Sequence, residues 1–90
     1  MEYLSDDKRC EVCGDVFNLE RHHIFFGSAN RKLSEKYGLV CWLCPEHHRG
    51  KSGVHQFREL DIALKQAAQM KFEEEHTREE FRAIFGKSWL

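Results

Sequence analysis

The chain has 90 residues, a formal net charge of −1 and a hydrophobic fraction of 41%. This length favours one domain, 1–90, and the composition is typical of a folded protein rather than a disordered or fibrous one. The near-neutral charge argues against a purely electrostatic nucleic-acid binder. No apolar run approaches the roughly 20 residues that span a bilayer, and the first residues lack a signal-peptide pattern. We therefore expect a cytoplasmic protein with no membrane partner.

The first half, residues 1–55, contains all four cysteines and five of the six histidines. Short elements are predicted here in the order strand Asn18–Phe26, helix Ser28–Tyr37, strand Leu39–Leu43 and a helical turn that begins at Pro45. Ser28 is a candidate N-cap and Gly38 a candidate C′ residue of the helix. A glycine-containing turn at 50–53 follows.

The second half, residues 56–90, is predicted to be helical. A helix over about 54–75 is indicated by apolar residues at steps of three and four, namely Val54, Phe57, Leu60, Leu64, Ala67, Ala68 and Phe72. Thr77 and Glu80 have the spacing of a capping box that begins a short helix, and Gly86 is a candidate C′ residue that ends it. We expect this half to be a scaffold that packs on the first.

Two residues between Cys10 and Cys13 place both sulfurs in one tight turn, which is typical of a zinc knuckle. Either Cys41 with Cys44 or Cys44 with His47 would complete a tetrahedral site. We prefer the second set, because Cys41 falls inside a predicted strand as a buried thiol and Pro45 favours a turn that returns His47 towards Cys44. Four protein ligands leave no open position, so this zinc would be structural. Thiol redox chemistry also uses a Cys-x-x-Cys pair, but two pairs that include a histidine fit zinc better.

His22 and His23 follow the first cysteine pair, and His48 and His55 follow the second. Adjacent residues of a strand point to opposite faces, so one of the two neighbouring histidines can bind a metal while the other faces a substrate. That arrangement suits hydrolysis by a metal ion together with a general base. The alternative for His22 and His23 alone is an ordinary surface strand.

These motifs resemble those of the HNH endonucleases, the ββα-metal or His-Me finger nucleases, in the small form found in phages and prophages. The resemblance covers roughly residues 10–55 and is carried by Cys10-x2-Cys13, His22-His23-Ile24 and Leu43-Cys44-Pro45-Glu46-His47-His48. It implies an α+β fold, in which a zinc-stabilised ββα-metal unit is followed by the C-terminal helices. It also implies metal-dependent hydrolysis of DNA phosphodiester bonds.

The resemblance assigns a role to each histidine. His23 would be the general base that activates water, and His22 and His48 would bind the catalytic divalent ion, with His55 as a further ligand. His47 would replace the last structural cysteine of the family. The ion would be Mg²⁺, Mn²⁺, Ni²⁺ or Zn²⁺, of which the last three suit a mostly histidine shell better.

The chain departs from the family pattern at the middle asparagine, where it has Gly38-Leu39. Asn30 is the best substitute, and its role would be to hold the base histidine through a backbone contact. Asn18 is the other candidate, although a turn residue is the simpler interpretation. This departure keeps open an alternative function, in which the same fold is a non-catalytic zinc module that binds nucleic acid or protein.

Charge supports a DNA partner locally, because residues 21–51 contain six lysines and arginines against two glutamates. Candidate phosphate contacts lie beside Asn30 and beside His48, namely Arg31, Lys32, Arg49 and Lys51. A chain of this length reads few base pairs alone, so a second copy or a protein partner would supply specificity.

Overall fold

The structure is a computed structural model that describes residue 4 and residues 7–27, 29–51 and 53–90. Its elements in chain order are β1 (Glu20–His23), α1 (Asn30–Lys36), β2 (Val40–Leu43), α2 (Pro45–His48), α3 (Arg58–Phe72) and α4 (Arg78–Phe85). In the described part of the chain, β1 and β2 form a two-stranded antiparallel sheet. The predicted α+β class is therefore confirmed.

The sheet brings the cysteine turn and the paired histidines to the same small unit. β1 and β2 pair with His22 opposite Cys41 and His23 opposite Val40. The chain around Cys10 lies along the other edge of β2, where Cys10 forms a parallel bridge with Trp42 and the Glu11 N–H donates to the Trp42 carbonyl at 2.9 Å. Successive carbonyls of β2 point to opposite edges, so this strand holds both neighbours at once.

The first predicted strand, Asn18–Phe26, is wrong at both ends. Asn18 has a φ of 53°, a left-handed conformation that belongs to a turn. After His23 the Ile24 N–H still donates to the Leu39 carbonyl at 3.2 Å. At the next residue the pairing ends, because the Ser34 hydroxyl accepts from the Phe25 N–H at 3.0 Å and donates to the Phe25 carbonyl at 2.9 Å. Ser34 is fully buried, and it ties α1 to the end of β1.

The long predicted helix is also shorter than 54–75, since α3 runs from Arg58 to Phe72. The preceding residues form turns in which the Val54 N–H donates to the His47 carbonyl and the Phe57 N–H donates to the Gly53 carbonyl. Phe57, which the periodicity placed on the apolar face, is 51% exposed.

Other helix boundaries agree with the prediction. Thr77 and Glu80 form both hydrogen bonds of the capping box, and Gly86 follows α4 with a φ of 92°. Pro45 is the first residue of α2, and Gly38 follows α1 with a φ of 70°. Ser28, the candidate N-cap of α1, lies outside the described residues, and Ala29 occupies the N-cap position.

The C-terminal helices pack on the segment that follows β1. Phe25 contacts Phe81 and Phe85 of α4, with ring centroids 5.4 and 4.6 Å apart, and Phe72 of α3 contacts Phe81 at 5.3 Å. The same apolar cluster includes Leu39 and other residues of the first half. The aromatic core thus supports the backbone that presents His22 and His23.

A buried glutamine fastens the chain end to α3. Gln69 is fully buried; its side chain donates to Ser88 Oγ at 2.9 Å and accepts from the Trp89 N–H at 2.7 Å. Both polar ends of this amide are therefore satisfied in the core. Within the ranges given above, the structure contains no helix that is long and apolar enough to cross a bilayer.

Phe81→Ala is expected to destabilise the fold by about 3–5 kcal/mol, because it opens a cavity in a fully buried aromatic cluster. Phe57→Ala is the matched control and is expected to change the free energy of unfolding by less than about 0.5 kcal/mol, since Phe57 is exposed. Denaturant unfolding of both variants measures the difference. Equal effects would show that the C-terminal helices do not pack as described.

Candidate metal centres

The cysteine turn and α2 place four metal-binding side chains together. Cys10 and Cys13 lie in a turn closed by a 2.9 Å hydrogen bond from the Gly14 N–H to the Cys10 carbonyl. Cys44 occupies the N-cap position of α2, and His47 lies three residues on, within its single turn. The ligand atoms of Cys10, Cys13, Cys44 and His47 all lie within 4.8 Å of one another.

The spacing of these atoms fits a tetrahedral zinc ion. Cys13 Sγ lies 3.7 Å from Cys44 Sγ, and His47 Nδ1 lies 3.2 Å from Cys44 Sγ and 3.9 Å from Cys10 Sγ. Metal–ligand distances of about 2.0–2.3 Å separate tetrahedral ligand atoms by about 3.3–3.8 Å, and the three distances lie in or just outside this range. The donor set and the distances therefore both suit zinc, and the preferred Cys₃His set is the one that the fold assembles.

Cys41 is not a member of this cluster. It is fully buried in the core, where its burial, together with the nearby Glu11 and Cys10, raises the pKa of its thiol. Cys10 behaves differently: burial opposes its ionisation, but hydrogen bonds from the backbone of Cys44, Cys13 and Val12 prevail and lower its pKa to about 7. The thiol of Cys10 therefore ionises more readily than that of Cys41.

Three histidines form a second cluster. His22 comes from β1, His48 from the end of α2 and His55 from the turns before α3. Their ligand atoms lie within 4.8 Å of one another, and their ring centroids are 5.2, 5.4 and 5.6 Å apart. The structure thus brings together all three residues that the sequence suggested as ligands of a second ion.

His22 is the buried member of the histidine cluster. It is 2% exposed, and its Nε2 has no hydrogen-bond partner. Burial, followed by the charges of His48 and His55, lowers the pKa of His22 to about 3, so the ring is neutral at physiological pH. A neutral imidazole with an unpartnered buried nitrogen can donate the lone pair of that nitrogen to a divalent transition-metal ion.

His23 points to the opposite face of β1, as the period of a strand predicts. Its Nε2 lies 3.2 Å from Glu35 Oε1, and the same oxygen accepts from Arg21 Nη1 at 2.6 Å. These three residues line a groove together with Arg31 and Lys32. Arg21, His23 and Arg31 also line the neighbouring groove that contains the histidine cluster, so the two faces meet at one concave surface.

The other predicted site residues have different surroundings. Asn30 is the first residue of α1, and among the residues that the structure describes no hydrogen bond joins its side chain to His23. Arg31 and Lys32 line the groove beside His23, whereas Lys51 is exposed and lines neither groove. Arg49 forms an ion pair with Glu20.

Two carboxylates near the histidines were absent from the sequence prediction. Glu20 lies two residues before His22, so the period of a strand already places them on one face, and this signal was available. Glu35 lies on α1, and its proximity to His23 follows only from the way that helix packs.

Comparison with protein-family models, curated proteins and solved structures finds no match to this chain.

Proposed function

We propose that the protein is a metal-dependent endonuclease of the HNH type, which hydrolyses phosphodiester bonds in DNA. One observation carries the proposal: buried His22, whose Nε2 has no hydrogen-bond partner, clusters with His48 and His55, while His23, the next residue, lines a cationic groove. A structural zinc site needs none of these four residues. Their division between two faces of one strand is the arrangement that a metal ion and a general base require.

The Cys₃His cluster would hold a structural zinc ion. It joins the turn at residues 10–14 to α2, and α2 also carries His48, immediately after His47. In a unit with so short a sheet, such a cross-link stabilises the fold and fixes the direction in which His48 points.

His22, His48 and His55 would hold the catalytic divalent ion, which stabilises the negative charge that develops on the phosphate and on the leaving 3′ oxygen. His23 accepts a proton from the attacking water while the oxygen of that water forms a bond to phosphorus in line with the 3′ oxygen. The P–O3′ bond breaks, the leaving 3′ oxygen takes up a proton from solvent water, and the products are a 5′ phosphate and a 3′ hydroxyl. With Nε2 of His23 turned to Glu35, Nδ1 is the ring nitrogen that takes the proton.

The cationic groove supports a nucleic-acid substrate. Arg21, Arg31 and Lys32 line it beside His23, and their only carboxylate neighbour in that lining is Glu35. Phosphates on either side of the scissile bond supply the matching negative charge.

A plasmid-cleavage assay tests this function. The zinc-loaded protein is incubated with supercoiled DNA and Mg²⁺, Mn²⁺ or Ni²⁺, with EDTA as the stop condition. We expect nicked or linear products with at least one ion and none with EDTA. The matched control is the His22→Ala/His48→Ala variant purified in parallel, which detects a contaminating nuclease.

The second candidate function is a non-catalytic zinc module that binds nucleic acid through the same groove. The observation in its favour is that, within the described ranges, no asparagine side chain is hydrogen-bonded to His23. Retarded DNA without cleavage under every ion in the plasmid assay would select this alternative.

A further inference from the structure

Glu20 lies between the histidine cluster and an arginine. Its Oε1 is 2.8 Å from His48 Nδ1. Arg49 donates hydrogen bonds to both carboxylate oxygens, from Nε at 3.0 Å to each and from Nη2 at 2.6 Å to Oε2. The guanidinium of Arg49 therefore fixes the position of the carboxylate that contacts His48.

We infer that Glu20 is a positioning residue for the three-histidine centre. By accepting a hydrogen bond from Nδ1–H of His48, its carboxylate fixes the tautomer in which Nε2 carries the free lone pair and is the atom available to an ion. A carboxylate in this position also makes the imidazole a stronger donor to a metal. The inference rests on the proposed function, because it takes the ion at this centre to be the catalytic one.

Arg49 acquires a different role from the phosphate contact that the sequence suggested. Its guanidinium donates three hydrogen bonds to one carboxylate, from Nε to both oxygens and from Nη2 to Oε2, and these bonds restrict both partners. We expect Arg49 to act on His48 through Glu20. The order along the chain supports this, since α2 ends with His48 and the next residue, Arg49, binds the Glu20 carboxylate that contacts His48.

The equilibrium test is the affinity of zinc-loaded protein for a second ion, measured with Ni²⁺ by calorimetry. Glu20→Gln keeps the size of the side chain and removes its charge, and we expect it to weaken Ni²⁺ binding about 10–100-fold. Glu35→Gln is the matched control, because Glu35 also pairs with one arginine and one histidine but lies on the His23 face. We expect it to leave the Ni²⁺ affinity unchanged.

The spectroscopic test is the tautomer of His48, read from the ¹⁵N shifts of its ring in the metal-free second site. We expect the Nδ1–H form to dominate in the wild type and a mixture of tautomers in Glu20→Gln at unchanged zinc content. A purely structural role for Glu20 would not move this equilibrium. Should Glu20→Gln fail to fold, Arg49→Gln leaves Glu20 in place and is expected to weaken Ni²⁺ binding in the same direction.

The outcomes separate the inference from the function on which it rests. If Glu20→Gln, or Arg49→Gln in its place, binds Ni²⁺ as tightly as the wild type and His48 keeps its tautomer, Glu20 does not position the site. If the wild-type protein itself binds no second ion, the proposed catalytic centre fails and Glu20 has no metal ligand to orient.

Discussion

Cys44→Ser is expected to abolish zinc binding and to unfold the first half of the chain, whereas Cys41→Ser is expected to retain the zinc. Cys44 Sγ lies 3.7 Å from Cys13 Sγ and 3.2 Å from His47 Nδ1, so it belongs to the cluster by distance. A structural zinc contributes roughly 10–16 kcal/mol of apparent binding free energy. That exceeds or equals the whole stability of most small domains, about 5–15 kcal/mol.

The two variants form a matched pair, because they make the same substitution three positions apart in one segment. Metal analysis of the purified proteins gives the zinc content per chain, and circular dichroism gives the fold. Cys41→Ser lowers stability by placing a hydroxyl in the core, so the zinc content is the deciding quantity. Loss of zinc in Cys41→Ser would contradict the Cys₃His set and favour the four-cysteine alternative.

His23→Ala is expected to reduce DNA cleavage by about 10²–10⁴-fold, the range that general-base catalysis supplies. Zinc content, folding and DNA binding should stay near those of the wild type, since His23 belongs to neither metal cluster. His22→Ala should differ, because it removes a ligand of the catalytic ion and more divalent ion would partly restore the rate. Single-turnover cleavage and a DNA-binding assay on the same preparations separate these effects.

The control for the His23 experiment is His76→Ala, which replaces the one histidine outside the site, packed on Phe72. It should retain cleavage. Full activity of His23→Ala in a nuclease-free preparation would exclude His23 as the base. Loss of both zinc and fold in that variant would instead make His23 a structural residue.

Much of the fold was predictable where the signal is local. The capping box of Thr77 and Glu80, the proline that begins α2 and the glycine after α4 are decided by backbone chemistry within one helical turn. The Cys₃His cluster was predictable for a similar reason, since each pair of ligands lies three residues apart in a turn. The opposite directions of His22 and His23 followed from the period of a strand.

The errors occurred where distant residues decide the backbone. The hydroxyl of Ser34 forms hydrogen bonds with both the N–H and the carbonyl of Phe25, so β1 ends earlier than predicted. No local sequence pattern around Phe25 indicates this contact. The Val54 N–H donates to the His47 carbonyl, which holds the start of the predicted long helix in a turn against α2. Glu35 reaches His23 only because α1 folds back over β1.

The measurement that tests the central claim most directly is the rate of supercoiled-plasmid cleavage by zinc-loaded protein as Mn²⁺ is titrated, compared between the wild type and His22→Ala. Our account predicts a rate that rises and saturates with Mn²⁺ in the wild type and a half-saturation point at higher Mn²⁺ in His22→Ala. Identical rates for the two proteins at every Mn²⁺ concentration would contradict it, because the cluster of His22, His48 and His55 would then not hold the ion that catalysis uses.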